Sequence, residues 1–351
     1  MVYTPTEIIT LRQEKKGLFD RDFAASINIT EAELMAAYCA VGQAKKLNID
    51  VDALLTHANK LGKVLTITRN EDAVHELRGV LGKPIESDSA LVTLGSIDLR
   101  IFKKEWTFGF ARTIEKGDKQ LRTVQFYDKY GTAIFKLYTQ EETDLAAWEA
   151  MIKHLLSADQ SSTLKIAPAS LAPQRFCPPD EDNIKALRAR WNAMQDVHEL
   201  YGILQSLKID RYDAVKYIGE DYARSLDISA IEQMLKEAAR RQTPIMCFIG
   251  NRGCIQIFTG TIETIKPTQG WLNILDTTFN MHLRLTDIGE VWAVRKPNSN
   301  GYVSSLEVFN KKNELIVQFF GLRKEGQNER EDWREILTTL PVKKEMAIAA
   351  P

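Results

Sequence analysis

Asn183-Ile-Lys-Ala-Leu-Arg-Ala-Arg-Trp-Asn-Ala-Met-Gln-Asp-Val-His-Glu-Leu-Tyr-Gly-Ile-Leu-Gln-Ser-Leu207 is the stretch from which the second half of the chain is read. Ile184, Leu187, Trp191, Met194, His198 and Tyr201 follow one another at steps of 3, 4, 3, 4 and 3. That spacing predicts one apolar stripe of an amphipathic helix. Asp180 and Asp182 suit its positive end, and Pro178-Pro179 stop anything upstream from continuing into it. His198 is thereby expected on the apolar stripe. An unpaired polar group against hydrophobic neighbours costs on the order of 1–3 kcal/mol, so the imidazole needs a partner. Two readings follow: a core histidine bonded to a backbone carbonyl, or a histidine offered to a metal or flat cofactor over an apolar surface.

Composition narrows the class. At 351 residues the chain has room for about two domains of ~150 residues. Hydrophobic content of 44% and charged content of 26% are those of a globular protein. A net charge of −1 provides no basic field for nucleic acid or acidic membranes. No apolar run approaches the ~18 residues of a membrane span, and the start lacks the pattern of a secretory signal, so a cytoplasmic location is expected. The four cysteines, Cys39, Cys177, Cys247 and Cys254, have no Cys-x-x-Cys spacing and predict neither a disulfide framework nor a zinc ribbon.

From the start, residues 6–20 are charged and expected helical. Thr30 with Glu33 forms a capping box ahead of a helix over Ala32–Gln43. Residues 20–43 also have the outline of a helix-turn-helix DNA reader. Its second helix carries Glu31 and Glu33 and no Lys or Arg, which counts against phosphate contacts. A helical hairpin packed on a sheet is the alternative.

From Lys63 the pattern changes to short strands, at Val64–Thr68, Val74–Val80, Ala90–Leu94, Asp98–Phe102, Thr107–Arg112, Leu121–Asp128 and Ala133–Tyr138. A helix over Glu141–Leu156 closes the half. Residues 157–183, rich in Pro and Ser, read as a linker. The order then repeats, with helices to about Arg241. Strands follow at Ile245–Ile249, Cys254–Thr259, Leu272–Leu275, Asn280–Leu285, Val291–Arg295, Tyr302–Phe309 and Leu315–Gly321, and a last helix near Gln327–Leu340. Asn70 recurs as Asn251, Gly79 as Gly260, Tyr127-Asp128 as Phe309-Asn310, Ile134 as Ile316 and Trp148 as Trp333. The expectation is an α+β fold in tandem duplication, each half an antiparallel sheet with flanking helices: repeats at 1–156 and 184–345, with 157–183 between them. A two-residue turn at Gly250-Asn251 would set Cys247 opposite Cys254 as two thiols. His75 falls at the place of Gln256 in the second copy and is expected to be a half-exposed strand residue.

Conventional catalytic motifs are absent, and the five histidines have no paired spacing. What remains is a set of polar residues in apolar C-terminal strands. Gln318 lies inside Leu315-Ile-Val-Gln-Phe-Phe320, where a polar side chain is not buried without cost. Arg295-Lys296 ends a strand and Arg323 follows another. With His198, the set suits a large apolar ligand with acidic groups at one edge.

Trp191-Asn-Ala-Met-Gln-Asp-Val-His198, Arg211, Val291-Trp-Ala-Val-Arg-Lys-Pro297 and Gln318-Phe-Phe-Gly-Leu-Arg-Lys-Glu-Gly326 resemble, in that order, the HemS/HmuS/ChuS/PhuS family of bacterial cytoplasmic haem-handling proteins. Arg21-Asp-Phe-Ala-Ala25, Ile29-Thr-Glu-Ala-Glu-Leu34 and Asp98-Leu-Arg-Ile-Phe102 are similar to it too. The resemblance implies haem b as ligand and substrate, held in a cleft between the halves. It implies that His198 is the axial ligand of the iron. Arg100 would be the distal donor, with Phe102 walling the pocket from the same strand face. Arg211, Lys296 and Arg323 would meet the propionates, with Gln318 and Phe320 at the haem edge. Phe320 keeps the ring of the tyrosine found in other members and lacks its hydroxyl. His75 matches a second, N-terminal haem site of some members. The implied role is in haem uptake and iron homeostasis: haem degradation with an external electron donor, or alternatively non-enzymatic carriage of haem to a separate oxygenase. An importer, a haem oxygenase or a reductase are the implied partners, without nucleic acid or membrane insertion.

Overall fold

The computed structural model describes residues 3–343 except 88–89, 118, 170–174 and 324–326. The chain is α+β, with ten α-helices and two nine-stranded sheets among the described residues. It divides into two compact units. One comprises Met1–Arg69, His75–Ala172 and Gly250–Gln256; the other comprises Asn70–Val74, Pro173–Ile249 and Ile257–Pro351.

In the first unit, helices Pro5–Glu14, Asp20–Ser26 and Glu31–Ala40 come first. The Thr30–Glu33 capping box is formed: the Glu33 N–H donates to Thr30 Oγ1 at 3.1 Å, and the Thr30 N–H to Glu33 Oε2 at 2.8 Å. Ala32, Leu34, Met35, Ala36, Ala37 and Tyr38 of that helix are all buried, in a core with Ile8, Phe23 and Phe110. With six of its ten residues buried, the helix packs chiefly on its own core, which favours the helical-hairpin reading over the DNA reader. Strands Lys45–Leu47, Phe108–Lys116, Lys119–Tyr127, Ala133–Thr143 and Gly62–Arg69 pair antiparallel in that spatial order. Buried and half-buried residues alternate along Gly62–Arg69, as one face packing on a core requires. Helix Leu145–Leu155 buries Trp148. The stretch after it is held against this unit rather than running free. The Ser157 N–H donates to the Lys46 carbonyl at 3.0 Å, the Ala167 N–H to that of Lys129 at 2.8 Å, and Leu164 and Ile166 pack on the core.

The second unit opens with helix Glu181–Ala193, whose first turn is capped by Asp180 Oδ1 accepting the Asn183 N–H at 2.8 Å. Strands Ala223–Leu226, Ile288–Asn298, Gly301–Asn310, Leu315–Gly321 and Ile245–Gly250 pair antiparallel in that order, which is the order of the first unit. Helix Glu331–Thr338 buries Trp333, the counterpart of Trp148.

The duplication extends to side-chain chemistry. Asn70 Oδ1 accepts the N–H groups of Asp72 and Ala73 at 3.0 and 2.9 Å, and Asn251 Oδ1 accepts those of Gly253 and Cys254, each at 3.0 Å. Asp128 Oδ1 takes the N–H groups of Tyr130 and Thr132, and Asn310 Oδ1 those of Lys312 and Glu314, all at 2.9 Å. These are two Asx turns, each made twice.

Three local expectations are corrected. The hairpin turn closes on Asn251 and Cys254, with the Asn251 N–H donating to the Cys254 carbonyl at 2.9 Å, so the Gly250-Asn251 register that faced Cys247 with Cys254 does not form. The strand carrying Arg100 ends at Ile101, and Phe102 begins a 3-10 turn over Lys103–Glu105, so Phe102 does not share the strand face of Arg100. His75 is fully buried, not half-exposed. Its Nδ1 lies 2.9 Å from Gln256 Nε2, the residue that the repeat places at the equivalent position.

Candidate functional site

His198 does not lie on a continuous helical stripe. The helix ends at Ala193, and Met194, with φ −56° and ψ 132°, turns the chain out of it. A new helix starts at Glu199 and runs to Leu207. The break has local causes. Asp196 Oδ1 accepts the His198 N–H at 2.8 Å, an Asx turn that competes with helix. Glu199 Oε1 reaches back to the N–H groups of Gln195 and Asp196 at 3.0 and 2.8 Å. Upstream, the fully buried Trp191 anchors the turn by donating its Nε1–H to the Arg295 carbonyl at 3.2 Å. The Ser299 N–H donates to the Gln195 carbonyl at 2.8 Å.

The result is an exposed imidazole. The His198 side chain is 86% exposed, which excludes the core-histidine reading, and Tyr201 one turn later is 72% exposed. Met194, Trp191 and Leu187 do face the core, so the stripe is real as far as the break. Asp196 Oδ1 also lies 2.7 Å from His198 Nδ1. A carboxylate on Nδ1 fixes the ring and leaves Nε2 as the nitrogen that can meet a metal. Asp196 is held below the usual carboxylate range, first by the His198 backbone N–H and then by the charges of His198 and Arg323. Arg323 is half-buried.

A second group of expected residues shares one sheet face. Cross-strand partners put Glu307 opposite Gln318, Ser305 opposite Phe320, and Gln318 opposite Phe248. Lys296 reaches into this face and is 3% exposed. Its Nζ donates to Glu307 Oε1 at 2.7 Å and to Ser305 Oγ at 2.8 Å, and lies 5.0 Å from the Phe320 ring centre. Arg211, first residue of helix Arg211–Tyr217, makes a bidentate pair with Glu307, at 3.0 Å from Nε and 2.7 Å from Nη2. Burial brings the Lys296 ammonium down to about 8 against the pull of Glu307. Burial works against the Glu307 charge too, but Arg211 and Lys296 overcome it and hold the carboxyl well below the usual range.

Glu307 was not among the residues expected from sequence. Its signal is akin to the one that singled out Gln318: a polar side chain, here a charged one, set between the apolar Leu306 and Val308 of a strand. Phe320, without a hydroxyl, serves as a ring, edge-on to Phe248 at 5.1 Å and beneath the Lys296 ammonium.

In the first unit, Arg100 is partly exposed at 32% and its Nη1 donates to Asp98 and to the Leu99 carbonyl. Burial raises Asp98 above the usual carboxylate range, opposed by the Arg100 charge. Phe102 is half-buried, its N–H donating to the Gly253 carbonyl at 3.0 Å. His75 is enclosed with Gln256, Thr66 and Thr68. Among the described residues no three His, Cys, Asp or Glu side chains cluster to hold a metal ion by themselves. No helix among them is long and apolar enough to cross a membrane.

The arrangement therefore offers one oriented imidazole and a cationic sheet face lined with aromatic rings. The haemin-degrading HemS.ChuX domain family matches residues 28–155 and again 208–340. The hemin transport protein HemS of Yersinia enterocolitica is 37% identical over 336 residues, 95% of this chain and 96% of its own. The structure is similar to holo-PhuS, a heme-binding protein from Pseudomonas aeruginosa, with a TM-score of 0.91 and 35% identity over 97% of this chain and all of that one. It is also similar to the heme degrading enzyme ChuS of Escherichia coli O157:H7, with a TM-score of 0.88 and 34% identity over 96% of this chain and 98% of that one.

Proposed function

The chain belongs to the haemin-degrading HemS.ChuX family, and from that premise we propose that it is a haem-binding protein of the cytoplasm that takes up imported haem and opens its ring to release iron. The observation that carries the reading is the Asp196–His198 pair. A 2.7 Å contact on Nδ1 orients an exposed imidazole, which supports reading it as the ligand of haem iron. A histidine placed for solvent alone needs no carboxylate to fix its ring.

Haem brings two propionates to an otherwise apolar ring. Arg211 and Arg323, with Lys296 behind, are the cations we assign to that edge, and Gln318 and Phe320 are its neighbours. Each charge-assisted bond contributes roughly 1.5–3 kcal/mol. Arg100 and Phe102 are further residues that we assign to haem. Haem supplies the oxygen chemistry, and the protein supplies ligation, orientation and charge. Electrons come from an external donor, so a reductase is the implied partner, with an importer upstream. His75, enclosed by its Gln256 partner, stays outside this assignment. A second reading, delivery of intact haem to a separate oxygenase, is supported by the transport role in the name of the Yersinia relative.

Titration with haemin, for the wild type and His198→Ala, tests the reading. Saturable one-to-one binding is expected, with a Soret band altered by the substitution. A reductant in air, with catalase present, then separates the two activities: bleaching with iron release supports degradation, and a stable band the carrier. No saturable binding would end the haem reading.

A further inference from the structure

Glu307 is fully buried, absent from the expected site, and makes the densest set of polar contacts on the cationic face. Its Oε1 accepts from Lys296 Nζ at 2.7 Å, Ser305 Oγ at 2.8 Å and Arg211 Nη2 at 2.7 Å, and its Oε2 accepts from Arg211 Nε at 3.0 Å. We propose that Glu307 is a positioning residue of the anion-binding edge, holding Lys296 and Arg211 side by side and so setting how strongly the site takes the carboxylates of its ligand.

The inference rests on the haem reading and adds a residue to it. Two cations share one carboxylate, so the cluster keeps one net positive charge for an incoming propionate. Ser305 and Glu307 face Lys296 from strand Gly301–Asn310, Arg211 from helix Arg211–Tyr217, and Phe320 from strand Leu315–Gly321. Glu329, bonded to the Ser304 hydroxyl at 2.9 Å and itself raised by burial, adds a weaker attraction. Burial and the Arg211 charge both work against the Lys296 charge, and Glu307 is the main group opposing them. Without its carboxylate, Lys296 loses its proton at lower pH and the edge is left to the arginines.

The test compares haemin with haemin dimethyl ester, whose propionates are blocked, on the full chain from about pH 6 to about pH 9.5. The ratio of the two affinities cancels whatever happens at the axial histidine. In the wild type haemin is preferred by about ten-fold or more at neutral pH, one charge-assisted bond's worth. The preference falls as pH rises past about 8. In Glu307→Gln the preference at neutral pH shrinks and its fall moves to lower pH. In Lys296→Met the fall near that pH disappears. If Glu307→Gln keeps both the wild-type ratio and the wild-type pH midpoint, Glu307 is a structural ion-pair partner and the proposal is overturned. Should that variant not fold, Lys296→Met decides: a fall retained there overturns the proposal as well. A wild type that binds haemin and its ester equally removes the anion edge while leaving haem binding intact. A wild type that binds neither removes the haem reading, and the proposal with it.

Discussion

Asp196 and His198 are joined twice, Oδ1 accepting the His198 backbone N–H at 2.8 Å and lying 2.7 Å from its Nδ1. One carboxylate thus breaks the helix and aims the ring that the break exposes. Local structure and the chemistry of the site have the same cause.

Asp196→Ala is accordingly expected to weaken haemin binding on the order of 10–100-fold, the usual cost of losing a carboxylate behind a ligating histidine. Asp196 is largely solvated, so the thermal midpoint should move little. Spectrophotometric titration and a melting curve check both. An unchanged affinity would show that the contact does not orient the ligand.

The residues of this site differ in how much of their setting could be read locally. The Thr30–Glu33 box and the Asx turns at Asn70, Asn251, Asp128 and Asn310 act within four residues, and both the capping box and the repeat are visible in the sequence. The 3-4 spacing through His198 misled because periodicity counts apolar positions and is blind to an Asx turn that interrupts the helix without disturbing the count. The Glu307 cluster depends on Arg211, 96 residues away, and His75 is satisfied by Gln256, 181 residues away. Such partners are set by tertiary packing alone. The family resemblance pointed to Arg211 and Lys296 but not to the carboxylate between them.

Gly321 and Gly202 give opposite predictions for the same substitution. A Cβ on Gly321 would stand 2.6–2.9 Å from Trp333 atoms, and Trp333 is fully buried with its Nε1–H donating to the Ser304 carbonyl. Gly321→Ala should cost about 1–3 kcal/mol by overpacking. Gly202 lies in helix Glu199–Leu207 with nothing within 4 Å of an added Cβ. Gly202→Ala should add about 0.5–1 kcal/mol through helix propensity. Denaturant midpoints of the two variants should fall on either side of the wild type.

The thiols should differ in reactivity. Cys177 is exposed, while burial pushes Cys254 up to about 12 and Cys247 well above its ordinary value. Half-buried Cys39 is raised to about 11 by burial, partly offset by Lys46. The thiolate is the reactive form. A disulfide reagent at neutral pH should titrate Cys177 rapidly, Cys39 slowly, and Cys247 and Cys254 only after unfolding. Prompt labelling of Cys247 or Cys254 in the folded protein would contradict their enclosure.

Lys296 also gives stability a pH dependence whose sign can be fixed. Burial lowers its folded value to about 8, from 10.5 for an ordinary lysine. As pH rises, the folded chain releases this proton first, and between those two values the unfolded chain holds more protons. Unfolding free energy contributed by this group therefore increases with pH through that window, because the cost of burying the charge disappears when the charge does. Below the window the cost is present in full; above it, folded and unfolded chains are alike in protonation at this site. Lys296→Met removes the charge at every pH. The difference in stability, wild type minus Lys296→Met, should rise between about pH 8 and about pH 10.5 and be flat below. Urea denaturation of the two proteins at matched pH values measures it, and a difference that stays level across the window would mean that Lys296 is not the buried titrating group.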